Sequence, residues 1–250
     1  KIIIDVRDIW PEAHTYSAKS IPFYLYSNFL NLFIKKFAAN YFYVSPSFEN
    51  WVKKNCKYED AHYLPLCYDP IRWGEPNNTQ NIEVPNKVKL GYIGNLNNQF
   101  SLDEILPLIQ NTDVLLEIIG EGESFKLLKS KIIEMGIKNK VVFWGYLSRE
   151  KSTDIVKSWD YGIVPQTINS KADLPNKFFD YLGAGIPIIS YNDTWLGEYV
   201  SSEKLGFSIR RNIMDIDLKK NYVQLKRNII SHRVKYNSDV RYRDTLRDVF

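Results

Sequence analysis

The sequence is poor in the residues that build stapled or metal-centred proteins. Of its 250 residues only Cys56 and Cys67 are cysteines. Two thiols cannot make a disulfide framework or, alone, a four-ligand zinc site, so a reducing, intracellular setting is expected. No apolar run approaches the roughly 18 residues of a membrane span, and the first residues do not pattern as a signal peptide. Lys and Arg number 33 against 29 Asp and Glu, a net charge of +4, too slight and scattered to mark a nucleic-acid surface. There is no Gly-Lys-Ser/Thr phosphate loop. The dinucleotide fingerprint also fails, because Gly120 and Gly122 are followed by Phe125 where a third glycine belongs. These absences disfavour an ATPase and a nicotinamide dehydrogenase. His14, His62 and His232 have no ligand spacing; no metal is expected, and an Asp-x-Asp metal motif is read as absent. What remains, 44% hydrophobic and 25% charged, describes a globular protein of one large domain or two modest ones.

The apolar pattern supplies the organisation. Lys1–Val6 reads as a buried strand, Ile21–Phe37 as a helix, Tyr41–Val44 as a strand, and Ser45-Pro46-Ser47 as the start of a helix reaching about Asn55. Leu64–Leu66 and Tyr68–Gly74 look like a connection, and 75–86, with its Pro, Asn, Thr and Gln, like a linker. Beyond it short apolar strands (87–94, 114–119, 141–144, 161–165, 187–190, 206–209) alternate with helices (102–109, 124–135, 148–157, 177–183, 196–200). That alternation predicts an α/β fold, a doubly wound, Rossmann-like parallel sheet covered on both faces. A basic helical tail follows from about Leu218. The aromatic helix Ile21–Phe37 carries Lys35 and Lys36 in its last turn. It is expected to face a core, the alternative being a surface that meets lipid headgroups.

In such a sheet ligands sit beyond the carboxyl ends of the strands, where helix amino ends attract anions. Three loops qualify: Gly91-Tyr-Ile-Gly94-Asn95, Gly120-Glu121-Gly122-Glu123-Ser124, and Leu174-Pro175-Asn176-Lys177. In the last, Pro175 suits a first helical turn, Asp180 lies three residues past Lys177, and Gly183-Ala-Gly185 before Pro187 ends the helix.

Taken together, Gly91-Tyr-Ile-Gly94, Ile118-Ile-Gly-Glu-Gly122, Val142-Phe-Trp-Gly145 and residues 174–187 resemble the donor-binding half of glycosyltransferase family 4, which has the GT-B fold. Arg7-Asp-Ile-Trp-Pro-Glu12 resembles an acceptor-domain motif of its bacterial surface-polysaccharide members, those of lipopolysaccharide and capsule synthesis. The resemblance implies a partial N-terminal acceptor domain over 1–74, a linker over 75–86 and a nucleotide-sugar-binding domain over 87–217. The C-terminal helices of 218–250 would return to the first domain. It implies transfer of a sugar, with retained configuration, from a nucleotide-sugar such as a UDP-sugar to a polysaccharide or lipid-linked oligosaccharide. The enzyme would be cytoplasmic, with the inner membrane face as a peripheral contact, and would need no cofactor beyond its donor.

The implied roles fall on particular residues. Lys177, with Pro175, Asn176 and the Gly94-Asn95 loop, would hold the diphosphate; Asp180 would accept from the ribose hydroxyls; Tyr146 and Leu147 would face the base; Glu121 is a further nucleotide contact. Lys177, Asp180 and Asp173 are the candidate catalytic residues. The family's pair of glutamates is altered: the second is Asp180, and the first aligns with Ala172 beside Asp173. No cation occurs in Asn95–Gln99, which puts the diphosphate's charge on Lys177. Blander roles stand beside these: Asp180 as a helix-surface partner of Lys177, Asp173 as a helix cap, Glu121 and Glu123 as turn charges, and Asp8 and Glu12 as a strand-end cap and turn rather than acceptor contacts. The start of the acceptor domain is missing from the pattern. A nucleotide-sugar-binding subunit or fragment, inactive without a partner chain, is therefore the alternative, and a sugar-nucleotide epimerase a second.

Overall fold

A computed structural model of the chain describes residues 2–9, 21–76, 81–168, 170 and 173–249. The Trp10-Pro11-Glu12 motif, His14 and Ala172 lie outside the described residues. The chain divides into two compact units: Lys1–Leu66 with Lys171–Leu174 and Arg241–Phe250, and Cys67–Ser170 with Pro175–Val240.

The smaller unit holds a three-stranded parallel sheet in the order β1 (Ile2–Val6), β2 (Ala38–Tyr43), β3 (Ala61–Tyr63). The central strand carries the core: Tyr41, Phe42 and Tyr43 are buried, and Val6, Phe48, Val52 and Cys56 cluster with Tyr41 and Tyr43. Helix α1 (Ile21–Phe37) links the first two strands, and α2 (Glu49–Asn55) follows β2. The expectation that α1 turns its aromatic residues to a core is overturned. Only Ser27 is buried on it, while Leu25, Phe29 and Leu32 are 67, 66 and 70% exposed. β3 escapes the sequence pattern because Ala61-His62-Tyr63 is short and only half-buried.

The larger unit is a six-stranded sheet, every neighbouring pair parallel, of β4 (Val88–Ile93), β5 (Val114–Ile119), β6 (Val141–Gly145), β7 (Tyr161–Val164), β8 (Ile188–Tyr191) and β9 (Gly206–Ile209). Their spatial order is β6-β5-β4-β7-β8-β9, the doubly wound order in which the chain reverses direction across the sheet between its first and fourth strands. A short helix, α3 (Pro70–Trp73), precedes the sheet. The others are α4 (Leu106–Asn111), α5 (Phe125–Glu134), α6 (Arg149–Lys157), α7 (Asn176–Ala184), α8 (Trp195–Ser202) and α9 (Tyr222–His232); α10 (Ser238–Val249) belongs to the smaller unit from Arg241 onward. Branched and aromatic side chains of β4, β5 and β7 (Leu90, Tyr92, Leu116, Ile118, Tyr161, Ile163) form the core with Ile105, Leu108 and Ile109.

Where the order reverses, β4 and β7 pair only at Leu90 with Tyr161 and Gly91 with Gly162, and then part. Tyr181 of α7 fills the split. Its hydroxyl accepts from the Ile93 N–H at 3.2 Å and donates to the Ile163 carbonyl at 3.1 Å, replacing the ladder bonds that diverging strands cannot make. A Cβ on Gly162 would fall within the Tyr181 ring, and one on Gly91 within the Trp159 indole. Both glycines are therefore demanded by the close approach of these rings. Tyr181→Phe keeps the shape but strands the Ile93 amide, and is expected to destabilise the protein by about 1–3 kcal/mol, seen as a lowered midpoint in urea unfolding.

Candidate functional site

The loops beyond the carboxyl ends of β6, β5 and β4 are laced together by backbone bonds. The Gly120 N–H donates to the Gly145 carbonyl at 2.8 Å, Gly94 to Ile119 at 3.0 Å and Leu96 to Glu121 at 3.0 Å. Across the strand split, the Thr167 N–H donates to the Gln99 carbonyl at 3.1 Å, and Phe100 bridges Gln166. Residues far apart in sequence are thus fixed around the amino end of α7.

Lys177 sits at the centre of this arrangement. It is 8% exposed, with Nζ 3.1 Å from the centroid of the Phe100 ring and 5.3 Å from that of Tyr92. A Cβ on Gly94, whose φ is +139°, would lie 3.3 Å from Lys177 Cε, so loop and lysine stem are in near contact. Three other cations of the unit are matched by carboxylates. Arg72 pairs with Asp180 at 3.0 Å, Arg149 with Asp69, and Arg211 with both Glu104 and Asp193 at 2.6 Å. Among the described residues Lys177 has no such pair. Burial pushes its pKa down to about 7, the charge of Asp180 offsetting only part of that. The lysine rests instead on aromatic faces, a contact of cation–π type.

Pro175 precedes α7 with extended backbone (φ −75°, ψ 159°) and no side-chain cap, so it stands one residue before the first turn in which the sequence places it. Asn176 and Asn95 are exposed, as is Glu121, whose Oε1 lies near the open face of Gly145. Tyr146, just past β6, is 90% exposed, and Leu147 half-buried. Gly94, Lys177 and Phe100 are brought together. Asp180 is not the ion-pair partner of Lys177, since its Oδ1 is taken by Arg72, yet its side chain keeps 24% of its surface. Burial raises its pKa against the lowering pull of Arg72, Lys177 and Arg149.

Asp173 is not a helix cap. It is buried in the smaller unit, where Oδ2 accepts from Ser45 Oγ at 2.6 Å and the Ser47 N–H at 2.7 Å, while its own N–H donates to Ser45 Oγ at 3.1 Å. The same bonds explain why Ser45 does not cap its own helical turn. Asp8 is exposed, and the ring of His62 lies against Phe42. The sequence does contain one Asp-x-Asp triplet, Asp215-Ile216-Asp217; Asp217 Oδ1 accepts from the N–H groups of Lys219 and Lys220, a turn-forming role. No group of three His, Cys, Asp or Glu among the described residues is placed to hold a metal ion. Phe100 and Arg72 were missed. Nothing in the sequence flags Phe100, whereas Asp69-Pro70 before Arg72 is a helix-start signal.

A family model described as glycosyl transferases group 1 matches residues 75–238. A chitobiosyldiphosphodolichol beta-mannosyltransferase of Candida glabrata is 31% identical over 110 residues, 44% of this chain and 23% of that relative. Its counterpart from Dictyostelium discoideum is 27% identical over 117 residues, 46% of this chain and 23% of the relative. The match thus spans under a quarter of these curated relatives' length. They are eukaryotic and do not carry the bacterial surface-polysaccharide subtype. Among solved structures, Anabaena HepE in complex with UDP matches with a TM-score of 0.74 at 14% identity, over 99% of this chain and 71% of that one. WaaG, a glycosyltransferase involved in lipopolysaccharide biosynthesis, matches with a TM-score of 0.61 at 13% identity, over 99% and 71%. At these identities the likeness establishes the fold, which is α/β of the GT-B type.

The desolvated lysine has a consequence for stability. Unfolded, it titrates near 10.4; folded, near 7. Its burial cost is therefore borne in full below about pH 7 and fades toward pH 10. Lys177→Met is expected to stabilise the protein by a few kcal/mol, on the order of what such a shift implies, at pH 7. The gain should shrink as the pH approaches 10, as urea unfolding at the two pH values would show.

Proposed function

The chain belongs to the glycosyl transferases group 1 family, and from that premise we propose that residues 87–217 bind a nucleotide-sugar, a UDP-sugar, whose glycosyl group passes to a lipid-linked oligosaccharide or polysaccharide. Family membership favours transfer over epimerisation. One observation carries the donor site: Lys177, a cation without a carboxylate partner among the described residues, is held at the amino end of a helix where the strand order reverses. A diphosphate supplies the charge that this lysine lacks, and the free amides of the first helical turn add donors. The UDP in HepE and the diphosphodolichol acceptor in the curated relatives' name support the classes of donor and acceptor.

In this reading the bond between the donor's anomeric carbon and its β-phosphate oxygen breaks, and the electron pair leaves on the diphosphate. An acceptor hydroxyl forms the new bond at that carbon, with retained configuration, and gives up its proton. Lys177 stabilises the charge that grows on the leaving group, so catalysis is positioning plus electrostatics. The Gly94 amide is spent on Ile119, so Gly94 contributes close approach rather than a donor, with Asn95, Pro175 and Asn176 lining the same turn. Asp180 accepts from the ribose, and Tyr146, Leu147 and Glu121 lie toward the base. Asp173, closed on Ser45 and Ser47, shapes the smaller unit, the acceptor-side domain.

The outward apolar face of α1 favours a second reading, in which transfer requires a partner chain covering that face. Binding without turnover, with activity restored by the partner, would support it. No helix of the described residues is long and apolar enough to cross a membrane. A peripheral contact at the cytoplasmic face, through α1 with Lys35 and Lys36, belongs to the same proposal.

Because Lys177 is largely neutral at pH 8 and a diphosphate favours its charged form, UDP binding should draw in a proton. Calorimetric titration in HEPES and in Tris at pH 8 reads this as a buffer-dependent enthalpy. Lys177→Ala should abolish the proton uptake and weaken UDP at least about tenfold, the scale of a charge-assisted contact. Unchanged affinity in a folded variant would sink the assignment.

A further inference from the structure

Tyr68–Gly74 looks like a connection in the sequence, yet it builds one of the most completely partnered charges in the larger unit. Asp69 accepts from the N–H groups of Ile71 and Arg72 at 2.9 and 3.2 Å, and Pro70 opens the turn, so the backbone of Arg72 is fixed locally. The guanidinium carbon lies 4.4 Å from the ring centroid of Trp73, itself 1% exposed. Nε donates to Thr153 Oγ1 at 2.9 Å, Nη2 to Ser152 Oγ at 3.4 Å and Nη1 to Asp180 Oδ1 at 3.0 Å. Both hydroxyls donate onward to the Arg149 carbonyl, at 2.8 and 2.9 Å, which leaves their lone pairs facing Arg72. Three helices, α3, α6 and α7, thus hold one guanidinium in one plane.

We propose that Arg72 is the positioning residue for ribose recognition: it grips Asp180 by Oδ1 and keeps the carboxylate charged, leaving Oδ2 to accept from the donor's ribose hydroxyls. The inference rests on the reading that Asp180 faces the ribose, and it deepens that reading. The geometry is suited to it, because Oδ2 accepts no hydrogen bond among the described residues and the side chain is not closed to solvent. Three cations face the carboxyl: Arg72 from α3, Arg149 from α6 and Lys177 from its own helix. Arg149 is 61% exposed and committed to Asp69, and Lys177 is itself near its titration point. Only Arg72 combines a permanent charge with direct contact. A mere staple between helices would stabilise the fold without distinguishing one sugar from another.

The test compares UDP with 2′,3′-dideoxyuridine diphosphate, which lacks both hydroxyls, by calorimetry on the full 250-residue chain at pH 6 and 8. The ratio of the two affinities cancels the pH dependence that Lys177 gives to diphosphate binding. The native chain should prefer UDP by at least about tenfold. Arg72→Gln should erase most of that preference at pH 6 and less of it at pH 8, because without Arg72 the buried carboxyl holds its proton to higher pH. Dideoxy affinity should stay unchanged. A preference unaltered at both pH values, with only the unfolding midpoint lowered, overturns the proposal and leaves the staple. Should Arg72→Gln not fold, Arg72→Lys, which keeps the charge but lacks the planar fork, carries the same test: a reduced preference supports the proposal and an unaltered one overturns it. Asp180→Asn separates the two levels. If it erases the preference while the Arg72 variants do not, this inference alone fails. If it changes nothing, the placement of ribose at Asp180 fails, and the role of Arg72 falls with it.

Discussion

The parting of two parallel strands, β4 and β7, organises the larger unit. Strands that diverge leave amides and carbonyls without ladder partners, and here one tyrosine hydroxyl serves both sides of the gap. Tyr181 belongs to the helix that leads out of the split, so the repair of the sheet also fixes that helix. Lys177 sits one turn before Tyr181 and Asp180 immediately before it. The position of the candidate site is thus tied to the hydrogen bonding of the sheet. The cost falls on composition, since glycine is required at 91 and 162 to admit the rings that pack there.

The electrostatics of the unit show a division of labour. Arg72, Arg149 and Arg211 are matched to carboxylates, and two of them are further pinned by rings, Arg211 over Tyr191 and Arg72 over Trp73. Such charges lose water but gain fixed partners. Lys177 loses water and gains only aromatic faces, so its proton is weakly held. A protein under pressure for stability alone would place a methionine there. A desolvated lysine at the amino end of a helix is the physical ground on which the donor site is proposed there.

The smaller unit has the opposite character. Its central strand is well buried, and its carboxylate at Asp173 is closed on Ser45 and Ser47. Its outer helix instead presents leucine and phenylalanine to solvent, with no acidic residue in its first turn and two lysines in its last. A soluble helix ordinarily hides that face. This unit exposes an apolar face; the larger unit instead buries two lysines, Lys177 and Lys226, that make no ion pair among the described residues.

Much of this was legible in the sequence. Strand and helix succession after residue 87, the strand Gly206–Ile209 and the anion-seeking loop around Lys177 follow from local pattern, because period, turn residues and helix signals act over a few residues. The short β3 was not legible, since three half-buried residues carry no periodicity. Asp180 looked like the partner of Lys177 because spacing along one helix is all that a sequence displays. Asp173 looked like a cap for the same reason. Their actual partners, Arg72 and Ser45, lie 108 and 128 residues away, and contacts at such range are decided when helices and strands pack, not when they form. Thus the sequence by itself determined most of the elements, the fold class and the residue on which the candidate site is proposed. Tertiary structure alone decided which charges are neutralised and which is left without a partner, because desolvation and pairing are properties of what surrounds a side chain in space.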